Sequence, residues 1–306
     1  MKESYHTCFT SHDEVMFRDE EDHGTFVNLL ALRAFEWGIE VLADAEMSTH
    51  VHLGIVADEP KRFAAALRMS YTKYFNRKYG REGRMGEYNT FILKVIGFVH
   101  QMILLNYILR NGLHHAAAAT AFGYPYCSVR ELFTEEIGFT RVLPAPMSRA
   151  QMASLLPRHA AFPDHYRMDA DGVFLRSSFM EIRKAEQYYA SPRNYLYQMN
   201  RLTDDSWIQE QSKDLAGAPL SIADIEHADE QSVAQMLKNE SGRYYQANRM
   251  QDPAVCRLID KELLPSYGAP SVYLLTDTAK KRIARQLFYD YHLSEQQIRR
   301  CLAIPR

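Results

Sequence analysis

His50 and His52 flank Val51, and in an extended strand side chains at i and i+2 leave the same face, so the two imidazoles can act together as metal ligands. Tyr107 and Asn111 are four residues apart. On a helix that spacing puts a phenol and an amide oxygen on one face. Imidazole nitrogens and a carbonyl oxygen, with positions left open, suit Mg²⁺ or Mn²⁺, ions that polarise phosphate oxygens. The expected metal set is therefore His50, His52 and Asn111, with Tyr107 as catalytic nucleophile. A phenol with a pKa of about 10 attacks poorly at neutral pH, so the phosphate must be activated for it. Each pair also has an ordinary reading: an HxH strand without metal, and a helical tyrosine in the core. His6, His100, His114 and His115 are assigned structural or helix-end roles.

The elements that would hold these residues follow from periodicity. YHTCFTS, IEVLADA, MSTHVHLGIV and TFILKVI read as strands, and about 19–37, 60–79 and 98–111 as helices. The order β-α-β-β-α-β plus a further helix predicts an α+β, ferredoxin-like or RRM-like antiparallel sheet over residues 1–140. The prolines between 144 and 163 mark a linker at 141–165. Residues 166–306 are expected as a mainly helical accessory domain, with one hairpin where DADG separates HYRM from VFLRSSF.

Composition narrows the class. The 306 residues are 46% hydrophobic and carry a formal net charge of −2, so any polyanion surface must come from local clustering. Four cysteines without a CxxC pair are read as packing residues in a reduced, cytoplasmic protein. No apolar run is long enough for a membrane span, and the N-terminus lacks a secretion signal's apolar stretch.

One segment is strongly basic. Between residues 61 and 84 the chain has Lys61, Arg62, Arg68, Lys73, Arg77, Lys78, Arg81 and Arg84 against a single acid, Glu82. With Tyr71, Tyr74, Phe75 and Tyr79 interleaved, this predicts cations on phosphates and rings on unpaired bases. Near the C-terminus, TAKKRIARQLFYDY and SEQQIRRCL form a candidate helix-turn-helix at 278–303 that offers Gln296, Gln297, Arg299 and Arg300 to DNA, an ordinary basic helical hairpin being the alternative.

These motifs together resemble the single-tyrosine HUH transposases. AEMSTHVHLGI is similar to their histidine-hydrophobe-histidine strand, and YILRNGL to their nucleophile helix. SYHTCFTSHDEVMFRDEEDH, MSYTKYFNRKYGREGRMGE and GYPYCS extend the likeness over roughly residues 4–130, closest to the REP-associated tyrosine transposases. The resemblance implies an HUH nuclease fold and single-stranded or hairpin DNA as partner. It implies that His50, His52 and Asn111 bind Mg²⁺ or Mn²⁺ and that Tyr107 forms a 5′-phosphotyrosine, leaving a free 3′-hydroxyl. A transposase-derived DNA-binding regulator with little cleavage is the alternative, and an RNA-binding module a third. Monomer and homodimer stay open. The family usually has Pro-Asn before the first histidine, Pro after the metal-binding Asn and Arg-Tyr after GRMGE. Here Ser48 and Thr49, Gly112, and Tyr88 and Asn89 stand there.

Overall fold

The computed structural model describes residues 2–11, 14–86, 90–201 and 250–304. Strands β1 (Glu3–Thr10), β2 (Glu40–Glu46), β3 (His50–Ala57) and β4 (Phe91–Val95) alternate with helices α1 (Glu20–Trp37) and α2 (Pro60–Tyr79) in the predicted order. The strands form one sheet, β2-β3-β1-β4, whose neighbours are all antiparallel. The chain is thus α+β with a ferredoxin-like strand order. Local signals set the helix ends: Asp19 accepts a hydrogen bond from the Asp22 amide at the start of α1 (3.0 Å), and Gly38, at φ 59°, ends it. Pro60 opens α2 and Gly80, at φ 62°, closes it.

Each face of the sheet has its own core. Val51, Leu53 and Ile55 of β3 pack with Phe26 and Leu30 of α1 and Phe63 and Leu67 of α2. Leu42 and Ala43 of β2 pack on the other side against Leu104, Leu105 and Ile108 of α3 (Phe98–Leu109). The helix that carries Tyr107 does not run unbroken to residue 111 as expected. It bends at Arg110 (φ −100°, ψ 4°), and a single turn, α4 (Asn111–His114), follows.

The stretch expected as a linker at 141–165 contains α5 (Arg149–Ser154), which opens on a capping box between Ser148 and Gln151. Met152, Leu156 and Phe162 are buried in the cluster that holds α1 and α2, so this stretch lies on the sheet domain rather than crossing solvent. Of the expected 165–179 hairpin, only Met168 and Phe174 pair, and Arg176–Phe179 is a helical turn. Helix α6 (Pro192–Asn200) buries Tyr195 and Met199 against the α3 side.

Toward the C-terminus, α7 (Asp252–Leu258), α8 (Asp277–Tyr289) and α9 (Glu295–Cys301) build a third cluster, into which Val15 inserts. Arg18, 1% exposed, ties this unit to the sheet domain through Asp260 (2.7 Å) and the Cys301 carbonyl (2.8 Å). The α8–α9 pair occupies the expected place. Ser294 accepts from the Gln297 amide (3.3 Å), and His292 supplies the left-handed turn residue (φ 53°) in place of glycine. All four cysteines are buried and form no disulfide. Among the described residues no helix is long and apolar enough to cross a membrane.

Candidate active site

Register determines the site. β1 pairs with β3 so that Thr10 faces His50, Cys8 faces His52 and His6 faces Gly54. Directly opposed residues share a face, so His6 and His52 stand diagonally on the side away from Val51 and Leu53. His6 Nε2 lies 3.0 Å from His52 Nδ1, with the rings stacked at 5.2 Å. Gly54 continues that face. A Cβ there would lie 3.2 Å from Ile108 Cδ1, so the missing side chain lets α3 settle close on β3. Tyr107, one residue before Ile108, thereby brings its hydroxyl to 3.5 Å from His52 Nε2. His52 is fully buried and Tyr107 is 7% exposed.

Asn111 begins the next turn, fully buried, and neither its side-chain oxygen nor its nitrogen has a hydrogen-bond partner. A buried amide with no partner costs about 1–3 kcal/mol, so its persistence calls for an occupant. Gly112 explains one departure from the family pattern: a Cβ there would sit 2.3 Å from Tyr124 Cβ, which leaves no room for proline. Tyr124 is itself fixed by its hydroxyl on the Glu46 carbonyl (2.6 Å), and the Tyr126 carbonyl accepts from the Glu46 amide (2.9 Å). GYPYCS therefore lines the outer edge of β2 and wedges α4 in place. Ser48 and Thr49 do related work. Ser48 donates to Asp252 (2.8 Å), its carbonyl accepts from Met16 (2.7 Å), and Thr49 Oγ1 lies 3.2 Å from His50 Nδ1.

Three histidines assigned structural roles from sequence belong to this cluster. His6 contacts His52, His115 lies 5.2 Å from His50 by ring centroids, and His114 lies 6.0 Å from Tyr107. For His6 the signal was available, since β1 and β3 are neighbours in the predicted order. For His114 and His115 it was not, because the bend at Arg110 redirects the chain. His100 stays outside, bonded to the Ile96 carbonyl (3.0 Å). Among the described residues no three His, Cys, Asp or Glu side chains gather as a metal group; the expected set has two imidazoles and an amide.

The basic segment divides. Lys61, Lys73 and Arg77 are exposed, as are Arg84 and Arg62, the latter paired with Glu59 (2.8 Å). Lys78 is instead bound to Asp19 and Asp22 (2.7 and 2.9 Å), Arg81 to Glu14 (2.8 Å), and Arg68 is 9% exposed. The rings expected to stack on bases face inward. Tyr71 and Phe75 are fully buried, Tyr79 is 8% exposed, and Tyr74 donates to Asp22 (2.9 Å). Arg81 also binds the Arg84 carbonyl (2.8 Å) and so shapes the loop that leads to Gly86, where a Cβ would strike the Thr10 carbonyl. That loop thus lies against the end of β1, across from His50. Tyr88 and Asn89 are outside the described residues.

On α9 the expected DNA-facing set is corrected in half. Arg300 pairs with Asp252 (2.6 Å), and Gln297 donates to Asp252 and the Met250 carbonyl (2.9 and 2.7 Å). Burial pushes the Asp252 carboxyl up, but Arg300, Ser48 and Gln297 outweigh it and hold the group below its ordinary value. Only Gln296 and Arg299 of the four remain exposed.

No protein-family model matches the chain, and no curated protein matches it. A solved structure of a REP-associated tyrosine transposase bound to a REP hairpin is similar at a TM-score of 0.38 and 10% identity, over 45% of this chain and 82% of that one.

Proposed function

We propose that this chain is an HUH-type tyrosine nuclease and strand transferase acting on single-stranded or hairpin DNA. The sheet domain, with the described residues 141–200 packed on its two faces, is then catalytic, and the cluster of α7, α8 and α9 is accessory. One observation carries the reading: the Tyr107 hydroxyl lies against His52 Nε2, and Asn111, which opens the next turn, is a fully buried amide whose bonding capacity is unused. The donor set fits a hard divalent cation, with His50, His52 and Asn111 to hold it. Mg²⁺ or Mn²⁺, when bound, supplies Lewis acidity to a phosphate oxygen.

The chain's own residues do the rest. Tyr107 oxygen forms the bond to phosphorus as the bond to the 3′ oxygen breaks, leaving a 5′-phosphotyrosine and a 3′-hydroxyl that can reverse the step. The phenolic proton leaves as the bond forms, and the departing 3′ oxygen takes up a proton to become the hydroxyl; His52 Nε2, which faces the Tyr107 hydroxyl at 3.5 Å, would serve the cation as a ligand and not the phenol as a base. Exposed Lys61, Lys73 and Arg77 offer cations to the strand's phosphates.

Incubation with Mn²⁺ and single-stranded or hairpin oligonucleotides tests this. The parent protein should form a detergent-stable adduct, and Tyr107→Phe should abolish it while binding the same DNA. An adduct formed by Tyr107→Phe overturns the assignment.

A further inference from the structure

We propose that His6 fixes the tautomer of His52, and so serves as a positioning residue for the site. The inference rests on the reading of His52 given above and adds a residue to it. Two bonds meet on the His52 ring: Nε2 faces the Tyr107 hydroxyl at 3.5 Å, and Nδ1 faces His6 Nε2 at 3.0 Å. A neutral imidazole has one donor nitrogen and one acceptor, so these bonds are coupled. If His6 Nε2 carried the shared proton, His52 would be protonated at Nε2. That nitrogen could then neither ligate a cation nor accept a hydrogen bond from the Tyr107 hydroxyl.

The opposite arrangement satisfies both bonds to the His52 ring. A phenol is a better donor than acceptor, so Tyr107 O–H points at His52 Nε2. His52 Nδ1–H then points at His6 Nε2, which accepts. The tautomer with a lone pair at Nε2 is the one that metal ligation requires. An imidazole side chain with no bonding preference imposed on it favours Nε2–H, so something must hold His52 in the other form. Metal-bound histidines are commonly held by an acceptor on their second nitrogen, usually a carboxylate or carbonyl. Here a histidine stands in that place.

The surrounding fold makes His6 suited to it. It is fully buried and stands on the central strand β1, diagonal to His52 across an antiparallel ladder. Its ring is stacked within 19° of the His52 plane and is edge-on to Tyr107 at 6.1 Å and Phe91 at 5.6 Å. Backbone pairing on both sides, with Gly54 and with Leu93, fixes the strand beneath it, so the acceptor does not swing away.

The test uses the full chain labelled with ¹⁵N in its histidine rings, at about pH 8, where an ordinary imidazole is neutral. Two-bond ¹H–¹⁵N correlations report the tautomer, and the His52 signals are those lost in His52→Gln. The parent should show His52 as Nδ1–H. His6→Leu should move it to Nε2–H and weaken binding of Mn²⁺, titrated alone, by about 10–100-fold. His6→Gln, whose amide oxygen can accept the same bond, should keep Nδ1–H and recover most of the affinity.

A parent His52 found as Nε2–H overturns the proposal, as does a folded His6→Leu with unchanged tautomer and affinity. If His6→Leu does not fold, the parent and His6→Gln spectra decide. Failure of the parent to bind Mn²⁺ overturns the metal reading of the site instead, and the nitrogen spectrum still decides the role of His6.

Discussion

The two faces of the central sheet bury polar groups in opposite ways. On the α1/α2 face, Asp44 and Glu46 stand beside Leu53 and Val51 and are closed by Arg176, at 2.8 and 2.7 Å, while His23 lies 2.8 Å from Glu46. Burial and then Arg176 hold His23 well below the usual imidazole range, so it sits there neutral. On the α3 face, the bonds run from imidazole to imidazole and from imidazole to phenol, and the Asn111 amide is left with unused capacity. Carboxylate oxygens already taken by Arg176 and His23 have nothing left to offer a ligand. Neutral donors with spare lone pairs do, and the difference separates what holds this fold from what the fold can do.

Breaking the charged face should have the largest effect on stability. Arg176→Met would strand two buried carboxylates and cost about 3–5 kcal/mol in denaturant unfolding. A loss below about 1 kcal/mol would erase the contrast between the faces. Arg300→Met should cost somewhat less, about 2–3 kcal/mol, because Arg300 keeps 18% of its side chain exposed and its loss strands one carboxylate, Asp252. The sign with pH follows from the lowered Asp252 value. Its contribution is present above the unfolded carboxyl value of about 4 and is lost as pH falls through the lower folded one. Unfolding of the parent and of Asp252→Asn across that range should therefore converge toward acid.

The α3 face should behave in reverse. Asn111→Leu removes a buried amide that bonds to nothing, so stability should hold or rise by up to about 1 kcal/mol while Mn²⁺-supported cleavage is lost. A marked destabilisation with cleavage retained would make Asn111 a structural residue. The smallest effect is expected at the surface. Lys73→Ala with Arg77→Ala should leave stability within about 0.5 kcal/mol, yet lower the salt slope of DNA binding by about one per cation removed. An unchanged slope would remove the outer face of α2 from the DNA surface.

Legibility followed the range of the interaction. The order of β1, α1, β2, β3, α2 and β4 was plain because strand and helix periods, Pro60 and the capping Asp19 act within a few residues. The His50–His52 pair was plain for the same reason. Placing His6 beside His52 required a strand register, which pairing between distant segments decides, and placing His114 and His115 required the bend at Arg110. The basic segment misled in a specific way. Tyr71, Phe75 and Tyr79 looked available to bases, but spacing does not say which stripe of a helix meets a sheet.

The sequence by itself determined the element order, the residue types able to bind a metal and attack a phosphate, and the net basicity of α2 and the last two helices. Tertiary structure decided which of those charges remain outside. Asp252 is 48 residues before Arg300, and Glu14 is 67 before Arg81; each captures a cation that local reading had assigned to DNA. It also decided that Gly54 would admit α3 and that Gly112 would yield to Tyr124. Local propensities act along the chain and can be read along it, whereas ion pairing and close packing depend on which distant segments the fold brings into contact.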